Sequence, residues 1–206
     1  MNKILLVPGS FNPITNAHID MALAAKKAVN ADTVLFIPAH DTYVAKKKIL
    51  IPGYCRVSLI NSMPNCGKDN VWASEIETIK FFPPKTYNTI SELKDNDRKN
   101  NIRNVYYICL GMDNVEELKT WYKWDKLITE NNFVACSRNG KNLRDTLDKI
   151  GLLGFNNRFV EVHIPENNIS SSLVRELCGK GEFEKVKELV PKNVYEYLIR
   201  FYDAIN

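Results

Sequence analysis

The sequence predicts an α/β fold in which a parallel β-sheet carries helices on both faces. Three observations lead there. Short apolar runs alternate with longer stretches of helical period along the whole chain. Several of the runs, such as Lys3-Ile4-Leu5-Leu6-Val7 and Asn104-Val-Tyr-Tyr-Ile-Cys-Leu110, are apolar almost throughout, as strands buried on both faces are. Strand and helix follow one another in turn, the pattern of a sheet whose neighbouring strands are joined by crossover helices.

Strands are expected at 3–8, 32–38, 71–77, 104–110, 132–137 and 158–164. In 17–30, Ile19, Ala22, Leu23 and Val29 share one helical face broken only by Lys26, and in 54–63 Val57, Ile60 and Met63 do the same. Further helical patterns occupy 86–94, 114–130, 142–150, 171–179 and 191–204. The polar stretch 94–104 reads as a solvated loop before a buried strand.

With 206 residues, 45% of them apolar and 25% charged, the chain suits one globular domain with a sizeable core rather than a disordered segment. The formal charge of +4 favours anionic small molecules and is too diffuse for a nucleic-acid groove. Cys55, Cys66, Cys109, Cys136 and Cys178 stand too far apart for a zinc site or a disulfide framework, which fits a reducing cytosol. The apolar start is too short for a secretory signal, and no run approaches the roughly 18 apolar residues that cross a bilayer. A cytoplasmic protein without membrane or nucleic-acid partners is expected, or a nuclear one if the source is eukaryotic.

In an open parallel sheet, ligands bind outside the carboxyl ends of the strands. Gly9 and Ser10 follow the first strand. A glycine there tolerates positive φ and lets an anion approach backbone N–H groups. The helix beginning near Asn16 turns its own unpaired N–H groups and positive dipole end to the same place. Thr15 and His18, three apart, share one face at that helix start, and both side chains can donate to a phosphate oxygen. The competing reading makes Thr15 or Asn16 a helix cap and His18 a surface residue.

The stretch Gly9-Ser-Phe-Asn-Pro-Ile-Thr-Asn-Ala-His18 resembles the (T/H)-x-G-H signature of the adenylyltransferases built on a class I tRNA-synthetase-like Rossmann fold, above all the nicotinamide/nicotinate mononucleotide adenylyltransferases. Ala17 stands where that signature has glycine. Near the other end, Ile169-Ser-Ser-Ser-Leu-Val-Arg175 resembles the family's I-S-S-T-x-x-R element, with Ser172 in place of threonine. The resemblance spans residues 4 to about 200. It implies a single nucleotidyltransferase domain, with a Rossmann-like doubly wound core over 1–165 and a C-terminal helical part over 166–206.

The same resemblance implies the site. His18, with Thr15 and the Ser10–Phe11 backbone beside it, would face the α-phosphate of ATP, while Ser171, Ser172 and Arg175 would hold the β- and γ-phosphates. Lys46-Lys47-Lys48 and Tyr54-Cys55-Arg56 look like a lysine-rich loop and Y-x-R helix start, from which Lys47 and Arg56 would contact the mononucleotide phosphate. Gly111-Met112-Asp113 resembles the G-A-D element, Gly111 admitting the nucleotide and Asp113 accepting ribose hydroxyls, and Ser137-Arg138-Asn139-Gly140 resembles x-R-x-G, with Arg138 on phosphate. Leu118-Lys-Thr-Trp121-Tyr is similar to L-P-x-W-Y, in which the tryptophan stacks on the pyridine ring; Trp124 is the alternative, as a core residue. Thr86-Tyr-Asn88-Thr-Ile resembles T-x-D-T-L, which opens a helix beside the pyridine pocket, and Asn88 removes a charge there. Leu189-Val-Pro-Lys-Asn-Val-Tyr-Glu-Tyr197 resembles the family's closing helix.

The chemistry implied is direct transfer of AMP from ATP to the mononucleotide phosphate, with pyrophosphate leaving as its Mg²⁺ complex. A phosphate monoester is already an anionic nucleophile, so positioning and charge neutralisation suffice without a general base. Homo-oligomers are compatible with this picture. Two alternatives stay open: a phosphopantetheine adenylyltransferase, whose S-S-S-L-V-K element resembles residues 170–175, and a non-catalytic nucleotide-binding or chaperone-like module on the same fold.

Overall fold

In the computed structural model, which describes residues 1–44, 50–64, 66–137, 141–165 and 167–205, the six expected strands form and join one sheet. They are β1 (Asn2–Gly9), β2 (Thr33–Pro38), β3 (Val71–Ala73), β4 (Asn104–Gly111), β5 (Asn132–Ser137) and β6 (Phe159–His163), in the order β3-β2-β1-β4-β5-β6. β1, β4, β5 and β6 run parallel, with Leu6 opposite Ile108, Cys109 opposite Val134 and Val134 opposite Val160. The order reverses between β1 and β4, the kind of switch point at which doubly wound sheets bind ligands.

The central strands are apolar on both faces because both faces are covered. Leu5, Val34, Phe36, Ile108, Phe133, Val134 and Ala135 have no exposed surface. Phe133 and Phe159 stack across the β5–β6 pair at 4.9 Å between centroids. The first helix, α1 (Asn16–Val29), buries Ala22 and Val29 of the expected stripe, with Ala17 and Ala25 beside them, while Ile19 and Leu23 are half-buried.

The next two helices are a single turn, α2 (Asp41–Val44), and α3 (Gly53–Asn61). After β3 the chain turns at once: Ile79 N–H donates to Glu75 O and Lys80 N–H to Glu77 O. That turn ends the strand at Ala73 rather than at 77.

The stretch expected as a loop from residue 94 is helical as far as Lys99, within α4 (Thr86–Lys99). Its few apolar residues hide what holds it. Asp97 accepts from Asn104 Nδ2 (3.1 Å) and the Tyr106 hydroxyl (2.8 Å), and Lys94 donates to Glu130 O and Asn131 Oδ1. Arg98 and Lys99 in the last turn suit the helix dipole.

The expected helix 114–130 is three pieces: α5 (Met112–Glu116), a 3₁₀ turn (Leu118–Thr120) and α6 (Trp124–Glu130). Val115, Leu118, Leu127 and Ile128 are fully buried and keep the helical pattern, but Lys123 sits in the left-handed region at φ +51° and breaks the backbone. α7 (Leu143–Lys149) follows β5, and α8 (Ser171–Gly179), α9 (Phe183–Val186) and α10 (Lys192–Asp203) complete the chain. α10 buries Val194, Leu198 and Tyr202, one residue per turn on a single face.

Two compact units interleave along the chain. One comprises residues 1–8, 21–35 and 84–166; the other comprises 9–20, 36–83 and 167–206. No helix among the described residues is long and apolar enough to cross a membrane.

Burial pushes the hydroxyls of Tyr106 and Tyr202 up to about 12 each, against the ordinary value near 10. A raised folded-state value stabilises the fold below the unfolded value and is lost above it, so stability drops as pH climbs from 10 towards 12. Urea midpoints across that window fall less steeply for Tyr106→Phe and Tyr202→Phe than for the parent; curves parallel to the parent's would contradict the assignment.

Candidate active site

The turn leaving β1 is packed closely against its glycine. A Cβ on Gly9 would lie 2.7 Å from the Phe11 ring, which folds back over it with Phe11 at φ +44°. That ring makes edge contacts with Phe36 (5.1 Å) and His18 (5.3 Å). The Asn12–Pro13 peptide is cis, and the buried Asn12 side chain accepts from Ile51 N–H at 2.9 Å.

The carbonyls of this turn are held one after another. Gly9 O accepts from Ala39 N–H (2.8 Å), Ser10 O from Arg56 Nη1 (2.6 Å), Asn12 O from Arg175 Nη1 (2.6 Å) and Pro13 O from Ser171 Oγ (2.8 Å). Residues 158 and 163 positions apart in sequence therefore meet. The two signature stretches of the sequence form one corner. Asn16 adds to it, with N–H on Leu189 O (2.9 Å) and Nδ2 on Glu188 O (3.0 Å), so its side chain serves the C-terminal segment rather than a cap.

Thr15 is fully buried and serves His18. Its N–H donates to His18 Nδ1 at 3.1 Å, and its Oγ1 lies 2.7 Å from the same nitrogen. A backbone amide can only donate, so Nδ1 carries the lone pair and the proton of the neutral ring is on Nε2. The ring is thus set as an Nε2–H donor. Thr15, expected as a second donor to phosphate, turns its hydroxyl to the imidazole instead.

At the start of α8, Ser170 is the cap: its Oγ accepts from Leu173 N–H at 3.1 Å. That frees Ser171 for Pro13 O, while Ser172 Oγ accepts from Arg175 Nη2 at 3.0 Å. Burial lowers the Arg175 pKa, and its peptide carbonyl accepts from the Tyr202 hydroxyl (3.3 Å).

Arg56 is more deeply placed than the sequence suggested. Its side chain has no exposed surface, and it donates from Nε to Ile51 O (3.0 Å), from Nη1 to Ser10 O, and from Nη2 to Ala39 O (2.7 Å) and Asp41 Oδ1 (2.5 Å). Burial pulls its pKa down and the Asp41 carboxylate pushes it back; a guanidinium so paired stays charged. Where the resemblance puts this arginine on a phosphate, the structure puts it on three carbonyls and a carboxylate. A charge pattern in sequence cannot reveal that, because the acceptors come from three separate turns. Lys47, with Lys46 and Lys48, lies outside the described residues, as does Arg138.

The other unit carries the remaining expected residues. Gly111 ends β4 in extended conformation, and a Cβ there would meet nothing within 4 Å, so the backbone is open to close approach. Asp113 follows in the first turn of α5, its side chain 90% exposed, and pairs with Lys141 Nζ at 2.7 Å. Lys141 also reaches Glu116 at 3.1 Å, and the two carboxylates raise its pKa. Neither this lysine nor the Ser137–His163 pair, 2.7 Å apart at the matched ends of β5 and β6, was expected. Their signal lay in position, immediately beside the x-R-x-G stretch and at a strand end.

Thr86 opens α4, half-buried, and no side chain caps that helix start. Lys123 holds its ammonium 5.1 Å from the ring centres of both Tyr87 and Tyr122, flanking the half-buried Trp121. Trp124 begins α6 under the ammonium of Lys119 at 5.6 Å.

Residues 6–177 match the cytidylyltransferase-like family model. A probable nicotinate-nucleotide adenylyltransferase of Dehalococcoides mccartyi is 31% identical over 198 residues, which cover 95% of this chain and 94% of the relative. One of the same name from Streptococcus pneumoniae is 28% identical over 95% of this chain and 86% of its own length. Among solved structures, the nicotinic acid mononucleotide adenylyltransferase of Plasmodium falciparum, complexed with NaAD, shares the fold with a TM-score of 0.75 at 20% identity, over 98% of each chain. With its fold, its joined signature corner and relatives matched along nearly their whole length, the chain belongs to the cytidylyltransferase-like nucleotidyltransferases, in the nicotinate-nucleotide adenylyltransferase family.

Proposed function

We propose that the protein transfers the adenylyl group of ATP to the 5′-phosphate of nicotinate mononucleotide, forming the dinucleotide and releasing pyrophosphate. The observation that carries this reading is the corner in which Ser171 and Arg175 bond the carbonyls of Pro13 and Asn12, in the turn that leads to His18. The names of the relatives supply the acceptor class.

The acceptor phosphate attacks the α-phosphorus in line, the bond to the bridging oxygen breaks, and pyrophosphate departs. Negative charge grows on the α-phosphate oxygens and the bridging oxygen as this happens. His18 Nε2–H is the donor for that charge, fixed beforehand by Thr15, and a donor that needs no reorganisation stabilises the transition state more than the ground state. Arg175, Ser171 and Ser172 neutralise and position the leaving pyrophosphate, and Lys47 and Arg138 are assigned to phosphate by resemblance. The resemblance likewise assigns Gly111 and Asp113 to the nucleotide ribose, and Thr86 and Trp121 to the pyridine ring. Among the described residues no three His, Cys, Asp or Glu side chains gather to hold a metal ion, and Mg²⁺ arrives as part of the ATP substrate.

Incubated with Mg·ATP and each acceptor in turn, the protein releases pyrophosphate with nicotinate mononucleotide, more slowly with nicotinamide mononucleotide, and not with 4′-phosphopantetheine. Release with phosphopantetheine alone, or ATP binding without release from any acceptor, would overturn the proposal. His18→Ala still folds and loses roughly 100-fold or more in kcat. A variant within a few-fold of the parent would remove His18 from the mechanism.

A further inference from the structure

Resting on the adenylyl-transfer reading above, we infer that Arg56 is a positioning residue: it holds the Ser10 carbonyl inward, so that the Phe11 N–H faces the reacting phosphate, and it does not itself touch substrate. Four of the five guanidinium N–H groups are committed, to Ile51 O, Ser10 O, Ala39 O and Asp41 Oδ1, in a side chain with no exposed surface. That leaves no open edge for a bidentate phosphate contact.

The orientation follows from peptide geometry. In a trans peptide the carbonyl and the next N–H point in opposite directions. The Asn12–Pro13 bond is cis, whereas Ser10–Phe11 is trans, so an inward Ser10 carbonyl turns the Phe11 N–H away from Arg56. Phe11 is 2% exposed, yet its N–H has no hydrogen-bond partner among the described residues. A buried amide left unpaired is rare and costly unless a ligand completes it. The left-handed backbone at Phe11 fits the same end, since turns of this kind make concave groups of N–H donors for anions. Arg56 also holds Ala39 O, just past β2, and so binds the turns after β1 and β2 to one rigid fork. Lysine carries the charge but lacks the fork.

Two measurements decide it. In the ¹⁵N-labelled parent, Mg·ATP shifts the Phe11 amide resonance and slows its exchange with solvent; if the His18 amide responds to Mg·ATP and Phe11 does not, the inference fails whether or not any variant folds. Arg56→Lys lowers kcat by roughly 30-fold while KM for ATP and for the mononucleotide stays within about threefold, and abolishes the Phe11 amide response. A roughly tenfold or larger rise in the mononucleotide KM with kcat preserved would make Arg56 a direct phosphate ligand, and unchanged kinetics would deny it any part. Should the parent release no pyrophosphate with any acceptor while its Phe11 amide still answers Mg·ATP and loses that answer in Arg56→Lys, the functional reading falls and the positioning of the turn stands.

Discussion

A phosphate cannot share a face with a peptide carbonyl. On the adenylyl-transfer reading the turn after β1 puts several peptide units beside a polyphosphate, so its carbonyl oxygens have to be drawn elsewhere and kept there. Ala39 N–H, Arg56, Arg175 and Ser171 do this for residues 9, 10, 12 and 13, from α3, from α8 and from the end of β2. A hydrogen bond to a charged donor contributes about 1.5–3 kcal/mol, enough to hold a short turn in a conformation that includes a phenylalanine at positive φ. His18 depends on the same arrangement, because Thr15, which fixes its tautomer, closes that turn.

Arginine at two of these positions has a physical reason. Arg56 gathers acceptors from three segments with one planar group, and Arg175 reaches Asn12 O with one nitrogen and Ser172 Oγ with the other. The two differ in burial. Arg56 is sealed, whereas Arg175 is only partly buried and keeps donors beyond those two bonds. On the reading proposed above, one serves to position the turn, and the other has donors left for an anion.

All six strands and the two signature stretches were legible because their signals are local: continuous apolar runs, and hydroxyl and cationic residues at fixed spacing. What was not legible is held by partners distant in sequence. The last turns of α4 look like loop until Asn104, Tyr106, Glu130 and Asn131 are seen to hold Asp97 and Lys94. The break at Lys123 leaves no mark in an apolar pattern that continues across it. The resemblance puts Arg56 on a phosphate and says nothing of the carbonyls around it, and Lys141, which reaches Asp113, reads as one charge among many. Thr15 and His18 were recognised as a pair, but which of them faces outward depends on the direction of one backbone N–H.

The central claim is that the start of α8 and the β1–α1 turn act as one unit in catalysis. A double-mutant cycle on His18→Ala and Arg175→Ala, read as kcat/KM for pyrophosphate release, tests it most directly. If Arg175 holds the turn that carries His18, the double variant is scarcely slower than the slower single variant, with a coupling of about 1 kcal/mol or more. Losses that simply add would mean that the two ends of the sequence meet in the fold but work independently.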